Sequence, residues 1–315
     1  MLRPTMSAAL AFVFVVGIAT QSARAQTFTL LYSFKGKSDG CIPQGGLVRD
    51  AAGNLYGTTS QGGLLRDCAG FGCGVVFEAD PTGKETVLHR FKGPDGALPV
   101  GSLLLDEAGN LYGAASGGAS GIGVVFKVDK SGKETVLHNF KGSDGALPLG
   151  SLIRDGEGNL YGATFAGGVG NCFMGKGCGV VFKLDKTGKE TVLYAFTGGS
   201  DGGEPQRGGA LIRDKAGNLY GTTIQGGVNC DNQSFGCGVV FKLDKTGKET
   251  VLYTFTGGSD GAEPLGGLTR DQAGNLYGSD SVPILERFSS WRIPVRKRFC
   301  THSPAGRMAG SLTAV

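Results

Sequence analysis

The stretch GVVFKLDKTGKETVLYAF, Gly179–Phe196, reads as two short strands joined by a tight turn. Val180, Phe182 and Leu184 fall on one face of the first strand. On the second, Val192, Tyr194 and Phe196 share one face, and Leu193 and Ala195 the other. β-Branched and aromatic residues dominate both, which is strand chemistry. Between them stands the pattern D-x-x-G-K, with Asp185 opening a type I turn and Gly188 supplying the left-handed residue that follows. Apolar side chains on both faces need neighbours on both faces, so this hairpin belongs inside a stack of sheets.

Working outward, the same words recur. GNLYG begins at Gly53, Gly109, Gly158, Gly217 and Gly274, spaced 56, 49, 59 and 57 residues apart. Each full unit carries four phrases, which in the first unit are GGLVRD (45–50), NLYGTT (54–59), CGVVFEAD (73–80) and KETVLHRF (84–91). No helical apolar period is sustained between Gln26 and Gly278. DAAGN (50–54) and DPTGK (80–84) share the D-x-x-G-polar turn, so strand one pairs with two and three with four. Longer joints follow strand two and strand four. Each unit is thus a four-stranded antiparallel meander, and face-to-face stacking of such sheets around an axis is a β-propeller. Paired glycines opening strand one (Gly45 and Gly46, Gly208 and Gly209, Gly266 and Gly267) suit a crowded inner edge. A β-solenoid is the alternative, but its coils would be shorter than these units.

The expected organisation is an all-β, propeller-like array with units at about 45–92, 101–141, 150–197 and 208–256 and a partial fifth at 266–278. Thr27–Phe34 matches the fourth-strand phrase and reads as an orphan fourth strand. Before it, Arg3, the apolar run Ala8–Ala19 and the A-x-A pattern at Ala23 and Ala25 read as a signal peptide over 1–25. The mature chain is therefore expected outside the cytoplasm, in the periplasm, the medium or at the cell surface, with no transmembrane segment after cleavage.

The phrase DxxGNLYGTTxxGG…GVVFKLDxxGKETVLYxF resembles the GloVer-type tandem repeat over roughly 27–278. That family comprises exported bacterial proteins, called "choice-of-anchor" because members end in different sorting or anchoring segments. The resemblance implies a secreted or surface-attached protein of propeller fold and no known enzymatic activity. No sorting segment is recognisable at this C-terminus.

Charge and cysteine usage narrow the function. Of the formal +4, the leader carries +2 and residues 279–315 carry +4, which leaves the repeat body at −2. Nothing there favours nucleic acid. Six of the eight cysteines sit in the insert before strand three, as Cys68 and Cys73, Cys172 and Cys178, Cys230 and Cys237. The second unit lacks both members, so the pairs are expected to bond within units, as an oxidising compartment permits. Closing such short loops adds roughly 2 kcal/mol each. Zinc is the competing reading of each pair, although an insert offers two thiols and no imidazole. Cys41 has no partner in this scheme.

Catalytic constellations are sparse, and no cofactor-binding motif is found. His89 and His138 take the fourth-strand place that Tyr32, Tyr194 and Tyr253 fill elsewhere, and read as strand residues rather than bases. The candidate binding residues are Asp39, Asp95, Asp144, Asp201 and Asp260, in the Asp-Gly linkers after strand four. On a propeller these linkers share a rim with the variable inserts, where they could bind a cation or polar ligand, or simply form turns. Strand one is nearly uniform, with Arg49, Arg154, Arg213 and Arg270 and one exception, Leu105. Uniformity favours a non-catalytic binding or scaffold module for an unknown extracellular ligand, glycan or protein. The alternative is a hydrolase or lyase with its site in the central channel.

The end of the chain departs from the repeat. RFCTHSPAGRM, Arg298–Met308, uses none of its words. Phe288–Ala309, back-translated and read from one base upstream, can spell VFKLADSSPETVLYTFTGGADG, which agrees with Val240–Gly261 at 16 of 22 positions. Codon choice is free at most of these. Leu from Phe299–Cys300 and Gly from Met308–Ala309 are forced, and both fall where the repeat wants them. The expectation is a frameshifted fifth unit over 279–315, with no proper third strand; a genuine basic tail is the alternative.

Overall fold

The computed structural model describes residues 29–205, 210–227, 236–258 and 260–279, and the backbone of 290–293. The expected signal peptide over 1–25 and nearly all of the basic tail lie outside the described residues. The body is a series of antiparallel sheets with the expected meander in each. Blade one contains Val48–Arg49, Leu55–Thr59, Val75–Ala79 and Glu85–Arg90; blade two contains Leu104–Leu105, Leu111–Ala115, Val124–Val128 and Glu134–Asn139. Blade three contains Ile153–Arg154, Leu160–Ala163, Val180–Leu184 and Glu190–Ala195. Blade four contains Ile212–Arg213, Leu219–Gln225, Val239–Leu243 and Glu249–Thr254, with Gly203–Pro205 from the preceding linker paired to its second strand. The solenoid alternative is thereby set aside: each unit closes its own sheet.

The turn phrase has a specific cause. In D-x-x-G-N, the Asp50 carboxylate accepts from the Asn54 backbone N–H at 2.8 Å, the Asn54 amide at 2.9 Å and the Tyr56 hydroxyl at 3.1 Å. Asp106, Asp155, Asp214 and Asp271 repeat this arrangement in the other blades. One carboxylate thus fixes the hairpin and ties it to the strand that follows, which explains why Asp, Gly, Asn and Tyr travel together.

Packing between blades explains the apolar third and fourth strands. Val76 and Phe91 of blade one share a core with Leu111, Val124 and Phe126 of blade two. The pattern repeats with Phe140 against Phe182, and with Phe196 against Phe241. Phe91, Phe140 and Phe196, each directly after a fourth strand, meet the third-strand Phe of the next blade edge to face, with ring centroids 5.0 to 5.2 Å apart. Such pairs contribute about 0.5–1.5 kcal/mol beyond area burial. At the inner edge a side chain on Gly45, one of the paired glycines, would put its Cβ 2.6 Å from the Gly101 carbonyl oxygen.

In blades one, three and four a buried threonine locks the linker to the blade it enters. Thr164 is fully buried; its hydroxyl donates to the Ala166 carbonyl at 2.8 Å and accepts from the Val180 N–H at 3.1 Å. The Asp-Gly linker passes directly over it. Gly145, at φ +130°, leaves room for this, since a Cβ there would sit 2.7 Å from Thr164 Cγ2. Thr59 and Thr223 make the same two bonds, while blade two has Ala115 in that place.

The two ends differ from expectation. Tyr32 and Phe34 form no strand, although Phe34 stacks on Phe77 with centroids 4.9 Å apart, as a fourth-strand Phe would. Thr27 and Phe28 lie outside the described residues. At the other end Ser290–Ile293 pairs antiparallel with Leu276–Ser279, so this last sheet has a third strand after all. Trp291 stands at the register position that Phe77, Phe126, Phe182 and Phe241 take in the other blades.

In the inserts, Cys68 bonds to Cys73 and Cys172 to Cys178 within their own units. Cys237 is also disulfide-bonded, and Cys230 lies outside the described residues. Cys41 is free. The thiols are thus consumed in covalent pairs, which excludes the zinc reading for the two closed inserts. No helix among the described residues is long and apolar enough to cross a membrane.

Candidate functional site

Each predicted Asp folds back onto its own blade. Asp39 accepts from the Tyr32 hydroxyl at 2.9 Å and from the Lys35 N–H at 2.8 Å. Asp201 and Asp260 accept likewise from Tyr194 at 3.0 Å and Tyr253 at 2.9 Å. In blades one and two the partner is an imidazole: His89 Nε2 lies 3.1 Å from Asp95 Oδ2, and His138 Nε2 lies 3.1 Å from Asp144 Oδ2. Each of these two Asp residues also accepts a backbone bond, from Lys92 or Lys141, at 2.7 Å. The linker is one residue shorter where His replaces Tyr: six positions separate His from Asp, and seven separate Tyr from Asp. The smaller ring is matched by a tighter loop.

A residue missed in the sequence completes the arrangement. Glu134 opens the fourth strand of blade two and reaches His89 and Asp95 of blade one. The three ligand-type atoms lie within 4.8 Å of one another, and Glu190 does the same for His138 and Asp144. The signal was present in the phrase K-E-T, whose Glu recurs at 85, 134, 190 and 249. It read as an ordinary exposed strand start, because neither a propensity nor a turn rule reveals contact with the next unit. In all four, the Oε1 oxygen is shielded from solvent and has no hydrogen-bond partner.

The electrostatics follow from this burial. Burial drives the Glu134 carboxyl up to about 7, with the His89 ring opposing and the Asp95 carboxylate adding to the rise. Glu190 and Glu249 also reach about 7, through burial first and then the carboxylates of Asp144 and Asp201 respectively. For Asp95, burial pushes upward, but the bonds from His89 and Lys92 outweigh it and hold the carboxyl below its ordinary value. Tyr32 and Tyr253 are pushed to about 12 by burial first and then by their Asp partners, so these phenols stay protonated.

Three of the four strand-one arginines have a shared structural task. Arg154 lies over the Tyr112 ring at 5.9 Å, Arg213 over Tyr161 at 5.7 Å and Arg270 over Tyr220 at 5.6 Å. Each stacks on the preceding blade. Their sameness therefore reports blade packing and carries no information about chemistry. The departures from symmetry lie instead at the outer strands, where two of the blade junctions hold His.

Stacked four-stranded blades with repeated interblade contacts define a propeller-like repeat protein. The chain belongs to the Gloeobacter/Verrucomicrobia repeat family, whose model matches residues 15–235 and 71–282. No curated protein matches it. Among solved structures it is similar to a gluconolactonase from Xanthomonas campestris, at 14% identity and a TM-score of 0.46, covering 77% of this chain and 71% of that one. It is also similar to a calcium-binding protein, regucalcin, from Agrobacterium tumefaciens, at 19% identity and a TM-score of 0.42, covering 76% and 68%. The expectation of a non-catalytic scaffold is corrected here. The uniformity behind that expectation is a packing feature, Arg154, Arg213 and Arg270 each stacking on a tyrosine of the preceding blade, and it does not count against chemistry elsewhere.

Proposed function

We propose that this is an exported hydrolytic enzyme with its reactive groups at the blade junctions rather than in a central channel. The observation that carries the reading is the convergence of His89, Asp95 and Glu134, repeated by His138, Asp144 and Glu190. An imidazole held by a carboxylate and facing a second carboxylate is a constellation suited to moving protons to and from water and a leaving group. The His and Asp side chains are 14 to 19% exposed, open enough for a small substrate and dry enough to strengthen polar contacts. Export is supported by the disulfides at Cys68–Cys73 and Cys172–Cys178, which suit an oxidising compartment.

The test is turnover of a panel of lactones, esters and glycosides by the purified protein. Glu134→Gln and Glu190→Gln together should abolish any hydrolysis found while leaving the circular dichroism spectrum unchanged. A panel with no turnover, or turnover that the double variant retains, refutes the assignment.

A further inference from the structure

We propose that the junctions between blades one and two and between blades two and three each bind a divalent ion of the zinc class, one through His89, Asp95 and Glu134, the other through His138, Asp144 and Glu190. One imidazole nitrogen and two carboxylate oxygens is a donor set that suits zinc and its first-row neighbours, whereas calcium and magnesium prefer oxygen alone. The donor atoms already lie within 4.8 Å of one another. Zinc bonds of about 2.0–2.2 Å to each donor need only a small contraction of that triangle. Three protein ligands leave a fourth position open to water.

Two further features support the assignment. The Glu134 and Glu190 Oε1 atoms are removed from solvent and accept no hydrogen bond. A carboxylate oxygen in that state is costly, and a cation beside it removes the cost. The same orphan oxygen occurs at Glu85 and Glu249, so it does not by itself mark a metal. What distinguishes the two junctions is the imidazole, which arrives together with the shortened linker at both places. A protonated phenol at Tyr32 or Tyr194 is a poor ligand, and those junctions act as internal controls with the same Asp and Glu.

The backbone around each site is preorganised. Lys92 N–H and Lys141 N–H hold the second oxygen of Asp95 and Asp144 at 2.7 Å, leaving Oδ2 directed at the imidazole. The ion would bridge consecutive blades, since Glu comes from one repeat and His and Asp from the one before it.

The proposal concerns binding and stands whether or not hydrolysis is found. The full-length secreted protein, stripped with chelator and dialysed, is titrated with zinc chloride in a calorimeter, and its metal content is measured after desalting. The expected result is two equivalents per chain and a rise in melting temperature. His89→Gln or Glu134→Gln should leave one equivalent, and the corresponding pair of changes at both junctions should leave none. Circular dichroism confirms folding, and the Glu→Gln changes keep the side-chain shape should the His changes disturb it. Less than one equivalent bound by the wild-type protein, or binding undiminished in the double Glu→Gln variant, overturns the proposal. Metal binding without turnover would sink only the hydrolase reading, and turnover by metal-free protein without any binding would sink only this one.

Discussion

Replacing Thr164 by Val removes a hydroxyl and keeps the volume, so the change isolates two hydrogen bonds. The site is completely buried, and no water can reach it in compensation. The Ala166 carbonyl loses the hydroxyl but still accepts from the Ala146 N–H at 2.8 Å. The Val180 N–H loses the hydroxyl acceptor at 3.1 Å and is left buried. One stranded donor costs about 1–3 kcal/mol, so the expected loss is about 2 kcal/mol. For a domain of this size that lowers the melting temperature by roughly 4–8 °C. Thr164→Ser, which keeps the hydroxyl, should recover most of it. Ala115 occupies the same place in blade two, so the variant is expected to fold. Thermal unfolding followed by circular dichroism measures all three proteins. A valine variant within about 0.5 kcal/mol of wild type would show that the threonine does not hold the linker, and that the glycine packing alone suffices.

Three other outcomes are expected. Glu249, facing Asp201 and the Tyr194 hydroxyl, holds its proton to about pH 7 when folded, against an ordinary value of 4.5, because burial and then Asp201 oppose its charge. The folded state binds that proton more tightly than the unfolded chain, so this residue's contribution is present below pH 4.5 and is lost as pH rises through 7. Glu249→Gln should therefore be more stable than wild type at pH 8 and not at pH 4.5; an equal difference at both values would contradict the assignment. Peptide mapping without reductant should recover Cys68 linked to Cys73 and Cys172 linked to Cys178, with Cys41 labelled by a thiol reagent; a link between units would contradict the blade-internal scheme. Finally, the gene read one base upstream across residues 288–309 should spell the repeat if the tail is frameshifted; if it does not, Ser290–Ile293 is a third strand in its own right.

Much of the fold was legible because its signals are local. Asp50, Gly53, Asn54 and Tyr56 lie within seven consecutive residues, and their turn chemistry can be read without knowing what surrounds them. The paired glycines pointed to the crowded inner edge for the same reason. Contacts between repeats were not legible. Glu134 lies 45 positions from His89 in the chain, and nothing in K-E-T announces that its carboxylate enters the neighbouring blade. The arginines misled for a related cause: repetition shows that a residue has a constant task, and only the structure shows that the task is stacking on Tyr112, Tyr161 and Tyr220. The His-for-Tyr exchange was visible, but its meaning depended on the Asp that a shortened linker brings to the ring nitrogen.

Because the junctions from blade one to blade four take His or Tyr with its Asp from one repeat and Glu from the next, the unit that is copied in the gene is not the unit that is completed in space. Insertion or loss of a whole repeat leaves every surviving boundary with one contribution from each side. Such a lineage can change its number of blades by recombination without passing through a broken interface, and it can exchange His for Tyr at one boundary while the rest stay as they were.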